Sequence, residues 1–213
     1  MFGWIVISLL AFSLTGVLTL RLANTLRYLE KKHHYENTKF FSETGLPYHK
    51  VIDGHKKSFE YTVSLTLEKT YPDSPQLIDI PIGGKDSVNE CFQIDCMLFH
   101  KTGIYIIGLK DYKGDVYGSK SSKYWNVCYE TNGKKAIFEF RNPILQNETH
   151  IHALNAINHA DYQNIVIFSK HTLIDEPIKE LHTVDSLGAL IESKPPIYSK
   201  DVLKTIKASI EAH

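Results

Sequence analysis

Asp95 and Lys110 are the two residues whose types and spacing best suit chemistry on a phosphodiester. ECFQIDCMLF, residues 90–99, alternates as a strand. Lys101-Thr102-Gly103 then makes a tight turn, and the apolar run IYIIGLK, residues 104–110, returns as a second strand buried on both faces. An antiparallel hairpin of this kind brings Asp95 and Lys110 onto neighbouring strands. The aspartate offers carboxylate oxygens to a divalent ion, and the lysine steadies an attacking water or a phosphate charge. A surface ion pair between adjacent strands would show the same spacing. On the alternation, Phe92, Ile94, Cys96 and Leu98 share one face, and Gln93, Asp95, Met97 and Phe99 the other. Gly108 and Lys110 point the same way.

The elements that must position these residues read as an α/β domain with a central mixed sheet. Residues 54–69 predict a helix, stopped by Pro72, with Glu60 and Ser64 one turn apart on one side. Residues 76–82 predict a short strand ended by Gly83-Gly84. After a turn at residues 111–114, residues 115–118, 124–129 and 136–140 continue the sheet. Asn142-Pro143 opens a helix to about Asn158, with Asn as cap and Pro at the first helical position. Gln146 and His150 share a face of that helix, directed at the sheet edge or simply at solvent. Residues 164–168 form a buried strand, followed by a short strand near residues 181–184, a helix from Ser186 and a last helix after Ser199.

The run from Phe2 to Leu20 carries no charged side chain. Nineteen residues at about 1.5 Å each give roughly 28 Å of helix, near the thickness of a bilayer core. Arg21, Arg27, Lys31 and Lys32 follow it. Residues 1–22 therefore predict a single-pass anchor in the cell membrane, with the chain after it held in the cytoplasm. A cleaved signal peptide fits less well, because no Lys or Arg precedes the run and no small-x-small site follows. Residues 23–45 read as a juxtamembrane helix and linker.

A formal net charge of zero excludes a general attraction to nucleic acid or anionic lipid, so any such binding needs a local patch. Residues 110–141 hold seven basic and four acidic side chains, interleaved with Tyr112, Tyr117, Tyr124 and Trp125. Such a mixture tracks a phosphate backbone or is an ordinary solvated sheet surface with core aromatics. Cys91, Cys96 and Cys128 form no CxxC pair and are odd in number, which fits buried small hydrophobes rather than disulfides or a zinc ribbon.

QIDCMLFHKTGIYIIGLKDYKGDVYG, then Trp125, then NPILQNETHIHAL, resembles the nuclease-related domain (NERD) family. Its signature is a helix glutamate, an aspartate strand, a glutamate two residues before a lysine, turn glycines, a tryptophan and an NP…Q…H helix. Glu60, Asp95, Lys110, Gly114, Gly118, Trp125, Asn142, Pro143, Gln146 and His150 match it in order. The resemblance implies a restriction-endonuclease-like PD-(D/E)xK fold over residues 46–165, with residues 166–213 as a strand–helix extension. It implies Mg²⁺ held by Asp95 and Glu60, with Lys110 and Gln146 as catalytic side chains, and DNA or RNA as partner. Gly108 stands where the family has its second acid, and removing an anionic ligand weakens metal binding. The expected function is thus a divergent membrane-anchored phosphodiesterase with an impaired site. Its alternatives are a non-catalytic nucleic-acid or protein binder, and a purely structural membrane protein. On this reading the sharpest test is Gly108→Glu: metal-dependent cleavage gained by a silent domain would confirm the fold, the site and its decay together.

Overall fold

The computed structural model describes residues 2–82, 92–169, 173–174 and 178–212, with side chains described from residue 15 onward except at 92, 131, 173 and 174. The first helix, α1, runs without a break from Phe2 to Glu36, so the predicted anchor and the helix after it are one element. Among the described residues no helix is long and apolar enough to cross a membrane. Most of the predicted anchor, residue 1 and the side chains of residues 2–14, lies outside them. Cys91 and Gly83-Gly84 lie outside them as well.

The end of α1 is tied into the core. Tyr35 is fully buried, its hydroxyl donates to the Leu46 carbonyl at 2.6 Å, and its ring packs on Phe40, Phe41, Tyr48 and Tyr61. Two short helices, α2 (Lys39–Thr44) and α3 (Tyr48–Ile52), complete this aromatic corner. Residues read as linker are therefore packed against the domain, because aromatic side chains recur through them.

Helix α4 (His55–Thr70) buries Glu60, Val63, Ser64 and Leu67, an i, i+3, i+4, i+7 stripe whose first member is an acid. The main sheet has the order β1 (Gln76–Ile82), β2 (Phe92–His100), β3 (Gly103–Lys110), β7 (Tyr162–Phe168), β9 (Leu181–His182). It is mixed: β1, β2 and β3 pair antiparallel, while β3–β7 and β7–β9 are parallel. Strand β3 lies at its centre and is buried from Gly103 to Leu109, as the apolar run predicts.

Alternation sorts the core into layers. Tyr105, Ile107 and Leu109 with Cys96 and Leu98 pack against Val63 and Leu67 of α4. Ile104 and Ile106 with Met97 and Phe99 pack against Leu154 of α5 (Pro143–Ile157) and Leu203 and Ile210 of the last helix (Lys200–Glu211). Gly108 and Lys110 fall on the α5 side by the same rule.

The chain departs from the predicted arrangement in two places. Residues 115–140 do not extend the main sheet. They form a second sheet of order β6–β5–β4–β8, from β4 (Asp115–Tyr117), β5 (Tyr124–Thr131), β6 (Lys134–Arg141) and β8 (Leu173–Ile174). The reason lies in the close approaches around Gly114 and Gly118. A Cβ on Gly114 would sit 2.3 Å from the Cys128 carbonyl oxygen, and one on Gly118 2.3 Å from the Trp125 ring. These glycines let β4 fold onto β5 at once, and the pair caps its own cluster of Val116, Trp125, Val127, Ile144, Val166 and Phe168.

The second departure is in β2. Ile94 packs with Met97 and Ile106 rather than with Cys96, so the predicted alternation breaks at Asp95. The ladder to β3 stops at Cys96–Ile107, and the Leu109 amide donates at 2.9 Å to the Asp95 carboxylate instead of to a strand carbonyl. On the other side Asp79 of β1 takes a left-handed backbone (φ 56°) and makes no register pair. Aspartate tolerates that conformation better than most residues. Two facing irregularities thus open the sheet at Asp79 and Asp95.

Candidate functional site

Asp95, Lys110 and Gln146 come together in one cavity of about 540 Å³, lined also by Lys56, Gln93, Lys123, Arg141, Asn142, Leu145, Thr149 and His150. The Lys110 ammonium donates to Gln146 Oε1 at 3.1 Å, across from the β3 end onto the second turn of α5. Burial pushes the Lys110 ammonium below its ordinary range, against the opposing pull of Asp95 and together with the repulsion of Lys56. The lining holds four formal cations, Lys56, Lys110, Lys123 and Arg141, against one carboxylate. In a protein of zero net charge, that is the local patch that anion binding requires.

The far wall is built by the second sheet and the start of α5. The Asn142 side chain accepts from the Ile144 amide at 2.9 Å as cap and donates to the carbonyls of Lys120 (2.9 Å) and Ser122 (2.7 Å). Trp125 Nε1 donates to the Ser119 carbonyl at 2.8 Å. Trp125, Asn142, Gly114 and Gly118 are thus scaffold: they fix the loop and the β5–β6 ends from which Lys123 and Arg141 reach the cavity. The basic stretch divides accordingly. Trp125 is core, Tyr112 is half-buried against Phe140, and Tyr117 and Tyr124 are exposed.

Glu60 does not line the cavity. It lies beneath Lys56 and Lys57 at the start of the α4 stripe, 1 % exposed. The Lys57 ammonium is 2.7 Å from Glu60 Oε2 and also pairs with Asp79, while Lys56 is 3.4 Å from Glu60 Oε1 and 3.5 Å from Asp95 Oδ1. Burial raises the Glu60 carboxyl above its ordinary range, with the lysine pairings acting in the opposite direction. Burial also lowers Lys57, but its hydrogen bonds to Asp79 and Glu60 outweigh that and hold it above its ordinary range. Asp79, Lys56 and Lys57 were not singled out by sequence. Lys-Lys three and four residues ahead of Glu60 on a predicted helix is a signal that could have found the two lysines. Nothing in QLIDIPI announces the left-handed turn that redirects Asp79.

Gly108 faces a filled space. A Cβ there would lie 3.0 Å from Asn147 Oδ1 and 3.3 Å from its Nδ2. The Asn147 amide donates to the Ile165 carbonyl (2.8 Å), the Asn164 side-chain oxygen (2.9 Å) and the Ile106 carbonyl (3.2 Å), bridging α5 to β3 and β7. Asn147 thus stands where a side chain at position 108 would go, and Gly108→Glu requires that amide to give way by a few tenths of an ångström. Asp111, a conceivable substitute acid, lines a different cavity with His55, Ser58 and Lys113.

Burial lowers His150, with Asp95 opposing and Lys110 reinforcing; His100 and His182 are also lowered, in each case first by burial. Histidines held below their ordinary value are neutral in the fold and take up protons on unfolding. Stability should therefore be present above about pH 6.5 and fall as the pH drops through that value. Glu60 and Glu43, both raised first by burial, act in the opposite sense but are two groups against three. Thermal unfolding should give a lower midpoint at about pH 5.5 than at about pH 7.5, with an unchanged or higher midpoint counting against these assignments.

Among the described residues no group of three His, Cys, Asp or Glu side chains is placed to hold a metal ion. Cys96 is buried and free, and Cys128 is free and half-buried. No curated protein and no solved structure matches the chain. The family model for the nuclease-related domain matches residues 56–174, more than half of the chain, and that range includes every residue that lines the cavity. This chain belongs to the nuclease-related domain (NERD) family.

Proposed function

We propose that the protein is a divergent phosphodiesterase-lineage domain that grips the backbone phosphates of DNA or RNA, with metal-dependent cleavage impaired. The observation that carries this reading is the cavity that sets Lys110, half-buried and aimed at Gln146, among Lys56, Lys123 and Arg141. A desolvated ammonium beside further cations suits a phosphate that arrives with its own negative charge. Asp95 stands at the same mouth, with His150 beside it.

Family membership makes a divalent metal cofactor plausible, and Mg²⁺ is the ion to test. In the PD-(D/E)xK scheme such an ion activates water and neutralises the scissile phosphate. The residues present do not fit a resident ion well. Gly108 supplies no oxygen, Glu60 is covered by two lysines, and Asp95 is engaged by Leu109 and Lys56. What the side chains themselves can do is bind and orient. Lys110, Arg141 and Lys123 neutralise phosphate oxygens, and Gln146 fixes the direction of the Lys110 ammonium.

The apolar run at residues 2–20, followed by Arg21, Arg27, Lys31 and Lys32, supports placing this domain at the cytoplasmic face of the cell membrane, on a single-pass anchor. The alternative, a domain that binds without cutting at all, is favoured by the Asn147 side chain that fills the space beside Gly108.

The test uses the full chain in detergent with fluorescent single- and double-stranded DNA. Binding should weaken steeply with salt, and Lys110→Met and Arg141→Ser should each lower affinity by about tenfold and flatten the salt dependence by roughly one phosphate contact. Cleavage with Mg²⁺ or Mn²⁺ should be slow or nil. DNA affinity indifferent to both substitutions removes the binding reading. Rapid cleavage that disappears in Asp95→Ala removes the impairment.

A further inference from the structure

The acidic side of the site contains three carboxylates from three elements: Glu60 on α4, Asp79 on β1 and Asp95 on β2. All six of their oxygens already face a positively polarised group. Glu60 Oε2 takes Lys57 at 2.7 Å, and Glu60 Oε1 takes Lys56 at 3.4 Å. Asp79 Oδ2 pairs with Lys57, and Asp79 Oδ1 accepts from Gln93 Nε2 at 3.1 Å. Asp95 Oδ1 faces Lys56 at 3.5 Å, and Asp95 Oδ2 accepts from the Leu109 amide at 2.9 Å. Two tethered ammonium groups thus link the three acids in a chain, Asp79–Lys57–Glu60–Lys56–Asp95.

We infer that the protein carries its own cation in place of a divalent ion: the Lys57 ammonium, seated between Glu60 and Asp79 with Lys56 beside it, closes the acidic side of the site to metals. The inference deepens the reading above and rests on its location of the site.

Three physical points support it. Glu60 is buried, and a buried carboxylate needs a partner; Lys57, on the same helix three residues earlier, is a partner that is always present. A divalent ion is held by one or two carboxylates, with the oxygens at about 2.0–2.1 Å for magnesium and farther for calcium. An ammonium already within hydrogen-bond distance of the same oxygens cannot share them with a doubly charged ion, so binding a metal requires expelling Lys57. Finally, Glu60 Oε1 is buried and has no hydrogen-bond partner, its ion-pair contact being the longer one to Lys56. That oxygen is where a cation would gain most once Lys57 is gone. The two lysines leave a net charge of one negative over the three acids. Nucleic acid can then be held by the cavity's cations with no metal bridging it to the carboxylates.

The experiment is a Mn²⁺ titration of the full chain, read by the loss of the free-ion electron paramagnetic resonance signal and containing no nucleic acid. The wild-type chain should show no stoichiometric binding up to millimolar Mn²⁺. Lys57→Met, which keeps the length of the side chain and removes its charge, should create one site tighter by on the order of a hundredfold than the wild-type limit. Adding Glu60→Gln to Lys57→Met should abolish that site. Sub-millimolar stoichiometric binding by the wild-type chain overturns the inference, and so does a cooperatively melting Lys57→Met variant with no gain in Mn²⁺ affinity. Should Lys57→Met not melt cooperatively, Lys57→Gln replaces it with the same expectations, and if neither folds the wild-type titration decides alone. Because the titration contains no DNA, its failure leaves the phosphate-binding reading standing, and a failed DNA-binding assay leaves the titration interpretable.

Discussion

Gly108→Glu should lower the melting temperature and add no cleavage. The added Cβ would meet the Asn147 amide at 3.0 Å, closer than van der Waals contact allows, in a layer closed by β3, β7 and α5. Overpacking of this kind costs about 1–3 kcal/mol, and the carboxylate would add a desolvation penalty on top. At the size of this chain each kcal/mol moves the midpoint by roughly 2–4 °C. Asn147→Ala alone also destabilises, by about 1–3 kcal/mol, because the Ile165 carbonyl and the Asn164 side chain lose a donor. The two substitutions share one volume, so they should not add: the double variant should melt close to Asn147→Ala alone. Neither the single nor the double variant should cleave, because Lys57 still occupies Glu60 and Asp79 in both. Thermal melts of the four proteins alongside a cleavage assay check this, and a Gly108→Glu single variant that is stable and active would sink it.

The larger loss of stability should come from the glycine–tryptophan contact under the second sheet. Gly118→Ala places a methyl 2.3–2.5 Å from three atoms of the Trp125 ring. That ring is buried, lies parallel to Phe168 with centroids 6.4 Å apart, and is fixed through Nε1 to the Ser119 carbonyl. With nowhere for the ring to retreat, we expect a loss of about 3–5 kcal/mol, as large as the loss expected for Trp125→Ala. Both variants should also lose DNA affinity, since Lys123 and Arg141 are held by the same corner. Melting curves and Trp125 fluorescence report the first effect, binding at low salt the second. A Gly118→Ala chain that melts like the wild type would mean that β4 and β5 are not packed as described.

Much of the scaffold was legible in the sequence because it rests on local rules. The 104–110 run is apolar without alternation and becomes the central strand; Asn142-Pro143 caps α5 as its chemistry dictates; the α4 stripe has helical spacing. Lys110 and Gln146 were likewise readable, since alternation on β3 and the position of Gln146 in α5 direct them to one side of the sheet; Asp95 joins them where the alternation of β2 breaks. What escaped was set by non-local geometry. The second sheet arises from two glycines whose importance depends on what sits opposite them, Cys128 and Trp125. The shift of Ile94 to the other face, and the entry of Asp79 into the site, follow from a left-handed residue in a neighbouring strand. A period-2 pattern has no means of registering either. The role of Lys56 and Lys57 escaped for another reason: charged residues on a helix start usually point to water, and only the buried carboxylate of Glu60 holds Lys57 down and draws the exposed Lys56 alongside.

The unbroken helix from Phe2 to Glu36, locked at its far end by Tyr35, makes the connection to the domain a strut rather than a string. Its full length is about 52 Å, and the stretch beyond the apolar run, residues 21–36, accounts for roughly 24 Å of that. A domain carried on such a rod does not wander: its tilt and height are inherited from whatever grips the far end.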